Sequence, residues 1–181
     1  MGAFERAFAK VVLIEGDYGN HKDDLGGATR YGVTEAVARQ HGYIGAMPLL
    51  PLSVAHDIYR KRFWNVLQLD SIAELSEPIA DELFDTGVNM GTGMAGAFLQ
   101  RALNSLNRQQ ADYADLIVDG VIGGKSVATL RSYLKLRGKR GEVVMLRALN
   151  SLQGARYIEI SEARQANETF TFGWFDNRVA I

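Results

Sequence analysis

The chain has 181 residues, 47% apolar and 23% charged, with a formal net charge of −1. That length suits one core or two small lobes sharing an interface, and the near-zero charge offers no global attraction for nucleic acid, so no nucleic-acid partner is expected. Cysteine is absent, which excludes disulfides, thiolate zinc sites and cysteine nucleophiles. No apolar run approaches the ~20 residues that span a bilayer, and Glu5, Arg6, Lys10 and Glu15 interrupt the first hydrophobics. Neither stable membrane insertion nor a signal peptide is expected, and synthesis is placed in the cytoplasm.

The first element is a helix. Phe4, Phe8 and Val11 recur at intervals of four and three, with Ala7, Val12 and Ile14 beside them, as one buried face of a 3.6-residue period requires. Glu15 is the next member of that stripe. A carboxylate directed inward at a helix C-terminus is disfavoured as an anion by burial and by the macrodipole, and both effects raise its pKa. A carboxyl that keeps its proton near neutrality can protonate a departing oxygen.

Between Glu15 and Thr34 lie Gly16, Gly19, Gly26, Gly27 and Gly32, with Asp17, Asp23 and Asp24 among them. This composition builds no core; it makes a shaped polar loop. Its spacing allows Glu15, Asp24 and the Thr29 hydroxyl to converge on one cleft, and paired carboxylates flanking a glycosidic bond are the usual apparatus of glycoside hydrolysis. The competing reading is a solvated helix end followed by an ordinary turn.

Glu15-Gly16, Asp24, Gly26-Gly27-Ala28-Thr29 and Tyr31-Gly32-Val33-Thr34 resemble the signature of glycoside hydrolase family 108, the N-acetylmuramidase endolysins of phages and their bacterial relatives. The order of acid, acid and hydroxyl is also similar to that of phage-type lysozymes, with one residue fewer before the threonine. Asp17 stands where the family usually has a second glycine, and Leu25 where it has proline. The resemblance implies Glu15, Asp24 and Thr29 as catalytic residues. It further implies Asp17, Tyr18, Gly27, Tyr31 and Asn89 as substrate contacts, with no metal and no cofactor.

Further along, Thr34 is the expected cap of a short helix ended by Gly42. Pro48 and Pro51 interrupt regular structure, and Ser53 is the expected cap of the next helix. Tyr59, Phe63 and Trp64 close that helix as core, or alternatively as a wall for sugar rings. Ser76-Glu77-Pro78 opens another helix, with Ile79, Ala80, Leu83, Phe84 and Val88 as its buried stripe. Asp85 and Asn89 stand four apart on it, where the family resemblance continues through Gly91; Asn89 reads equally as a helix cap.

Gly91-Thr92-Gly93 is the expected lobe boundary, with Thr92 capping a helix marked by Phe98, Leu99, Ala102, Leu103 and Leu106. The stretch Asp119-Gly120 to Ser126 is similar to the turn of helical peptidoglycan-binding domains, and turn chemistry alone also explains it. Ser126 is the expected cap of a helix that stops before Gly138. Residues 142–166 read as one long helix or as two broken near Gly154. Phe170, Phe172, Trp174 and Phe175 imply a tail docked on the body.

His21, His41 and His56 show no metal-ligand spacing, although His21 lies beside Asp23 and Asp24. The expected fold is mainly α, a lysozyme-like helical fold with a glycine-rich active-site loop and at most a short β-hairpin. Residues 1–90 would form the catalytic lobe and residues 91–181 a peptidoglycan-binding-like lobe packed on it. The function implied is cleavage of the β-1,4 bond between N-acetylmuramic acid and N-acetylglucosamine. A lytic transglycosylase and a non-catalytic wall-binding module are the alternatives. The expected partners are peptidoglycan glycan strands, reached with a holin or a release system, and the expected state is a monomer acting on the cell wall.

Overall fold

The computed structural model describes residues 1–15, 18–19 and 28–179, with backbone alone at 14, 15, 18 and 19. The chain divides into two compact units, Met1–Asn65 and Val66–Ile181.

The first unit is built on α1 (Ala3–Glu15). Its sequence stripe is its buried face, since Phe4, Ala7, Phe8 and Val11 are all buried. Their partners come from α3 (Leu52–Tyr59) and the π-helical turn Arg60–Trp64 that continues it. Phe4 meets Trp64 edge-on at 5.2 Å and Phe8 meets Tyr59 at 5.4 Å, the geometry that aromatic quadrupoles favour. Tyr59 and Trp64 are thus core residues, while Phe63 is half-buried. The helix does not start on Ser53. It begins at Leu52 after Pro51, whose extended backbone (φ −66°, ψ 142°) launches it with no side-chain cap.

A small antiparallel sheet, ordered β1-β2-β3, joins β1 (Tyr18–Gly19), β2 (Thr29–Arg30) and β3 (Val33–Thr34). It has one strand more than a hairpin because Tyr31 and Gly32 both take positive φ, 51° and 72°. That two-residue turn matches the twist of the flanking strands. α2 (Glu35–Gln40) follows, and Thr34 caps it by accepting from the Val37 N–H at 3.4 Å.

The second unit packs α4 (Leu69–Ala73), α5 (Glu77–Met90), α6 (Thr92–Ser105), α7 (Gly124–Ala163) and α8 (Glu168–Arg178). Ser76 caps α5 as its sequence predicts, accepting from the Ile79 N–H at 3.3 Å. Thr92 does not cap α6. Gly91, at φ 92°, is the junction residue and Thr92 is already helical. Ser126 likewise lies inside α7, buried, because that helix starts two residues earlier. α7 breaks at Gly138 (φ 56°, ψ −151°) and runs unbroken through Gly154. The smallness of Gly154 serves packing, since a Cβ there would sit 3.2 Å from the Phe175 ring. The C-terminal aromatics form α8, docked by Trp174 stacking on Tyr157 at 5.1 Å.

Between α6 and α7 the chain is held by two buried amides. Asn107 accepts from the Gln110 N–H at 3.0 Å and donates to Asp115, bracing Arg108, Gln109 and Gln110, all three at positive φ. Gln100 donates to Asp119 at 2.8 Å and to the Val121 carbonyl at 3.1 Å, and accepts from the Gly120 N–H at 2.9 Å. The bond from Gln100 holds the Asp119 carboxyl below its ordinary range.

This clamp brings two backbones into contact. A Cβ at Gly96 would lie 2.1 Å from the Gly120 carbonyl oxygen, and one at Gly120 would lie 2.5 Å from that of Gly93. Gly96→Ala should therefore destabilise the fold by about 2 kcal/mol or more, as overpacking against backbone does. Gly93→Ala, whose Cβ meets nothing within 4 Å, should be neutral or better. Urea unfolding midpoints of the two variants check this.

Candidate functional site

Glu15 is the last residue of α1, and the final turn carries no basic residue to offset the negative end of the helix dipole. Three residues later the chain enters β1, where Tyr18 pairs with Arg30 and Gly19 with Thr29. This register makes neighbours of Gly19 and Thr29, the residues that flank the glycine- and acid-rich segment. Thr29, half-buried, stands opposite Gly19 on one side and opposite Thr34 on the other.

The turn beside Thr29 is braced from outside the sheet. Tyr31 holds a left-handed backbone that non-glycine residues seldom adopt, and its carbonyl accepts the Tyr59 hydroxyl at 2.9 Å. The Arg30 guanidinium lies 4.8 Å above the Tyr31 ring while donating to the Pro48 carbonyl. Ahead of the sheet, the Ala28 carbonyl accepts from the Glu35 N–H at 3.0 Å. Backbone held this firmly on both sides of Thr29 suits a residue that must present a hydroxyl at a fixed place.

Asp17, Asp24 and Gly27 lie outside the described residues, as does His21. Glu15 and Tyr18 are described by backbone only. Asn89 belongs to the second unit, in the last turn of α5, and it is not the cap: Gly91 takes that position. Among the described residues, no three His, Asp or Glu side chains group as metal ligands.

A second cluster centres on Asp85, which the sequence singled out only beside Asn89 and not with its structural partners. In the second unit, Asp85 of α5 accepts from Gln153 of α7 at 3.1 Å and from Arg178 of α8, whose side chain is only 4% exposed. Gln153 also donates to Thr86 at 3.3 Å. One turn before Asp85, burial pushes the Glu82 carboxyl up to about 7; the Asp85 charge adds to this and a hydrogen bond with Asn150 opposes it. Glu82 Oε1 and Gln153 Oε1 are buried acceptors with no donor among the described residues. A proton on Glu82 lessens that excess of acceptors. The available signal was two acids three residues apart, flanking the apolar stripe of α5.

A helical chain whose first helix ends on a carboxylate residue, beside a small antiparallel sheet, has the architecture of the lysozyme-like glycoside hydrolases. Residues 8–91 match the family described as glycosyl hydrolase 108, and residues 94–179 match the one described as "Predicted Peptidoglycan domain". Residues 8–91 thus carry a glycosyl hydrolase 108 region and residues 94–179 a peptidoglycan domain. The chain is also similar to the solved structure of Brucella abortus SagA, with a TM-score of 0.67 at 26% identity, covering 97% of this chain and 88% of that one. No curated protein matches the chain.

The fold is therefore mainly α and lysozyme-like, and the activity is that of a glycoside hydrolase acting on peptidoglycan. Family match and packed unit part at different places: α4 and α5 fall within the family 108 match yet belong to the second compact unit. Among the described residues no helix is long and apolar enough to cross a membrane.

Tyr59→Phe removes the hydroxyl that holds the Tyr31 carbonyl and keeps the ring contact with Phe8. A loss of about 1 kcal/mol is expected, measured by urea unfolding. Glu82 yields a pH prediction of defined sign. Its folded-state pKa of about 7 exceeds the ordinary 4.5, so the unfolded chain releases this proton first and stability falls as pH rises from 4.5 through 7. The full cost above that window is about 3 kcal/mol. Glu82→Gln should flatten this dependence and leave the variant more stable than the wild type at pH 8 but not at pH 4, as read by thermal melts.

Proposed function

We propose that the protein is an N-acetylmuramidase, hydrolysing the β-1,4 bond between N-acetylmuramic acid and N-acetylglucosamine with Glu15 as general acid. Glu15 gives its proton to the glycosidic oxygen as the bond breaks. Asp24 stabilises the oxocarbenium-like charge that develops on the sugar or helps to activate water, and Thr29 positions that water or holds Asp24. Asp17, Tyr18, Gly27, Tyr31 and Asn89 contact the glycan. Residues 1–90 carry the chemistry and residues 91–181 hold the wall.

The observation that supports this reading best is the strand register. Pairing Gly19 with Thr29 places a braced threonine against the short strand that follows a helix-terminal acid, with Asp24 between them in sequence. A family 108 match over the same residues fits this arrangement. The protein acts as a monomer on the wall, and a holin or a dedicated release system gives it access, as lysis of a host cell requires.

Glu15→Gln should fold normally and lose about 100-fold or more in wall-clearing rate, the usual contribution of a general acid. Turbidity of purified walls and mass spectrometry of the released muropeptides measure this together. Hydrated reducing ends are expected from the wild type. Retained clearing by Glu15→Gln would remove Glu15 from the mechanism, and 1,6-anhydro products would make the enzyme a lytic transglycosylase. Wall binding without any released sugar would leave only a binding module.

A further inference from the structure

The second unit has an open groove between the latter half of α7 and α8, with a volume of about 630 Å³, within the range of small-ligand sites. One wall is a single helical face of α7, carrying Arg147, Ser151, Ala155 and Ile158; the other is Phe175 and Val179 of α8. Asn150, buried at the groove, is also the residue that hydrogen-bonds Glu82. The groove owes its shape to Gly154, which lets Phe175 approach the α7 backbone.

Its chemistry is uneven along its length. Arg147 and Ser151 make one end cationic and hydroxyl-bearing, and among the described residues none pairs with the Arg147 guanidinium. The other end is aliphatic, with Ile158 46% exposed. A single exposed guanidinium beside a strip of small apolar side chains complements a short peptide that alternates methyl groups with carboxylates. Phe175 gives the groove an aromatic wall, but a sugar ring also needs polar groups to pair with its hydroxyls, and here the Asn150 amide and the Ser151 hydroxyl already donate to the Leu146 and Arg147 carbonyls. Peptidoglycan contains both chemistries, and only its peptide stems carry the alanine methyls and carboxylates that this groove matches.

We propose that the groove between α7 and α8 is a subsite for the peptide stems of peptidoglycan, in which Arg147 pairs with a stem carboxylate and Ala155, Ile158 and Val179 receive alanine methyl groups. The subsite rests on the reading that the chain acts on peptidoglycan, and it places recognition of the stem on the C-terminal module. The enzyme then distinguishes peptide-bearing strands from bare ones by a contact that makes no use of Glu15.

The test uses the full-length protein and a sugar-free stem pentapeptide, L-Ala-D-Glu-diaminopimelate-D-Ala-D-Ala, titrated by calorimetry. Arg147→Glu should weaken binding about tenfold or more, the loss of one charge-assisted hydrogen bond. Ala155→Trp, at an exposed position that spares the core, should block the groove and do the same. Circular dichroism melts confirm that both variants fold. Peptide binding unchanged in both variants, or absent from the wild type, would overturn the proposal. Binding that emerges only after removal of Ala180 and Ile181 would assign the groove to the chain's own residues. Dimerisation abolished by both variants would assign it to a second copy, and either result would also overturn it. Release of reducing ends from peptide-free glycan by the same wild-type preparation is scored separately, so a protein that binds stems without cutting sugar refutes the muramidase reading alone.

Discussion

The organisation of the second unit turns on one carboxylate. Asp85 on α5 receives Gln153 from α7 and Arg178 from α8, so three helices meet at one half-buried carboxylate. α8 needs such a fixture because it has no fully buried residue and leaves Phe170 and Phe172 exposed. Burial of apolar surface alone would allow it several rotations about its axis. A buried ion pair adds little net stability over an apolar replacement, yet stranding one partner is costly. In this unit its consequence is register: the arginine reaches Asp85 in one seating of α8, and that seating stacks Trp174 on Tyr157. The same seating sets Phe175 against Gly154, and the groove follows from it.

What was legible in the sequence was whatever depends on local period and local caps. α1 announced its buried face through Phe4, Phe8 and Val11, and Thr34 and Ser76 announced two helix starts. The three misplaced caps share one cause. At Ser53, Thr92 and Ser126 a hydroxyl residue stood just inside a helix, while the chain entered through a residue that needs no side-chain cap: Pro51, Gly91 and Gly123. Gly154 left one helix or two open, and the structure has one. A helix-interior glycine costs about 1 kcal/mol, too little to break a helix whose neighbour requires an absent side chain.

The site was half legible for a related reason. That a helix ends on Glu15 is a local fact and could be read from the stripe. That Gly19 lies opposite Thr29 is a pairing across ten residues, and two-residue strands leave no alternating pattern to betray it. Even the turn that makes the third strand is disguised, since Tyr31-Gly32 lacks the asparagine or aspartate that usually marks two successive positive φ values. Its tyrosine is tolerated because Tyr59, 28 residues further along the chain and so invisible to any local measure, holds the carbonyl in place.

Two glutamates compete for notice, and pKa alone would choose Glu82 rather than the proposed acid. Glu82 titrates near 7, the value that general acid catalysis favours, and perturbed carboxyls do cluster at functional sites. Its surroundings argue otherwise. The forces on it are burial, the like charge of Asp85 and a bond from Asn150, the relations of a side chain enclosed by its own helices. A catalytic acid must also reach a substrate oxygen and stand near a second group able to manage water or charge. The proposed acid, Glu15, terminates α1 just before a sequence rich in glycine and aspartate, with one short strand between it and that sequence, and that strand pairs with a threonine braced on both sides. Position in the chain therefore favours the proposed acid, and the raised pKa of Glu82 reads as the cost of building a polar junction inside a helical unit.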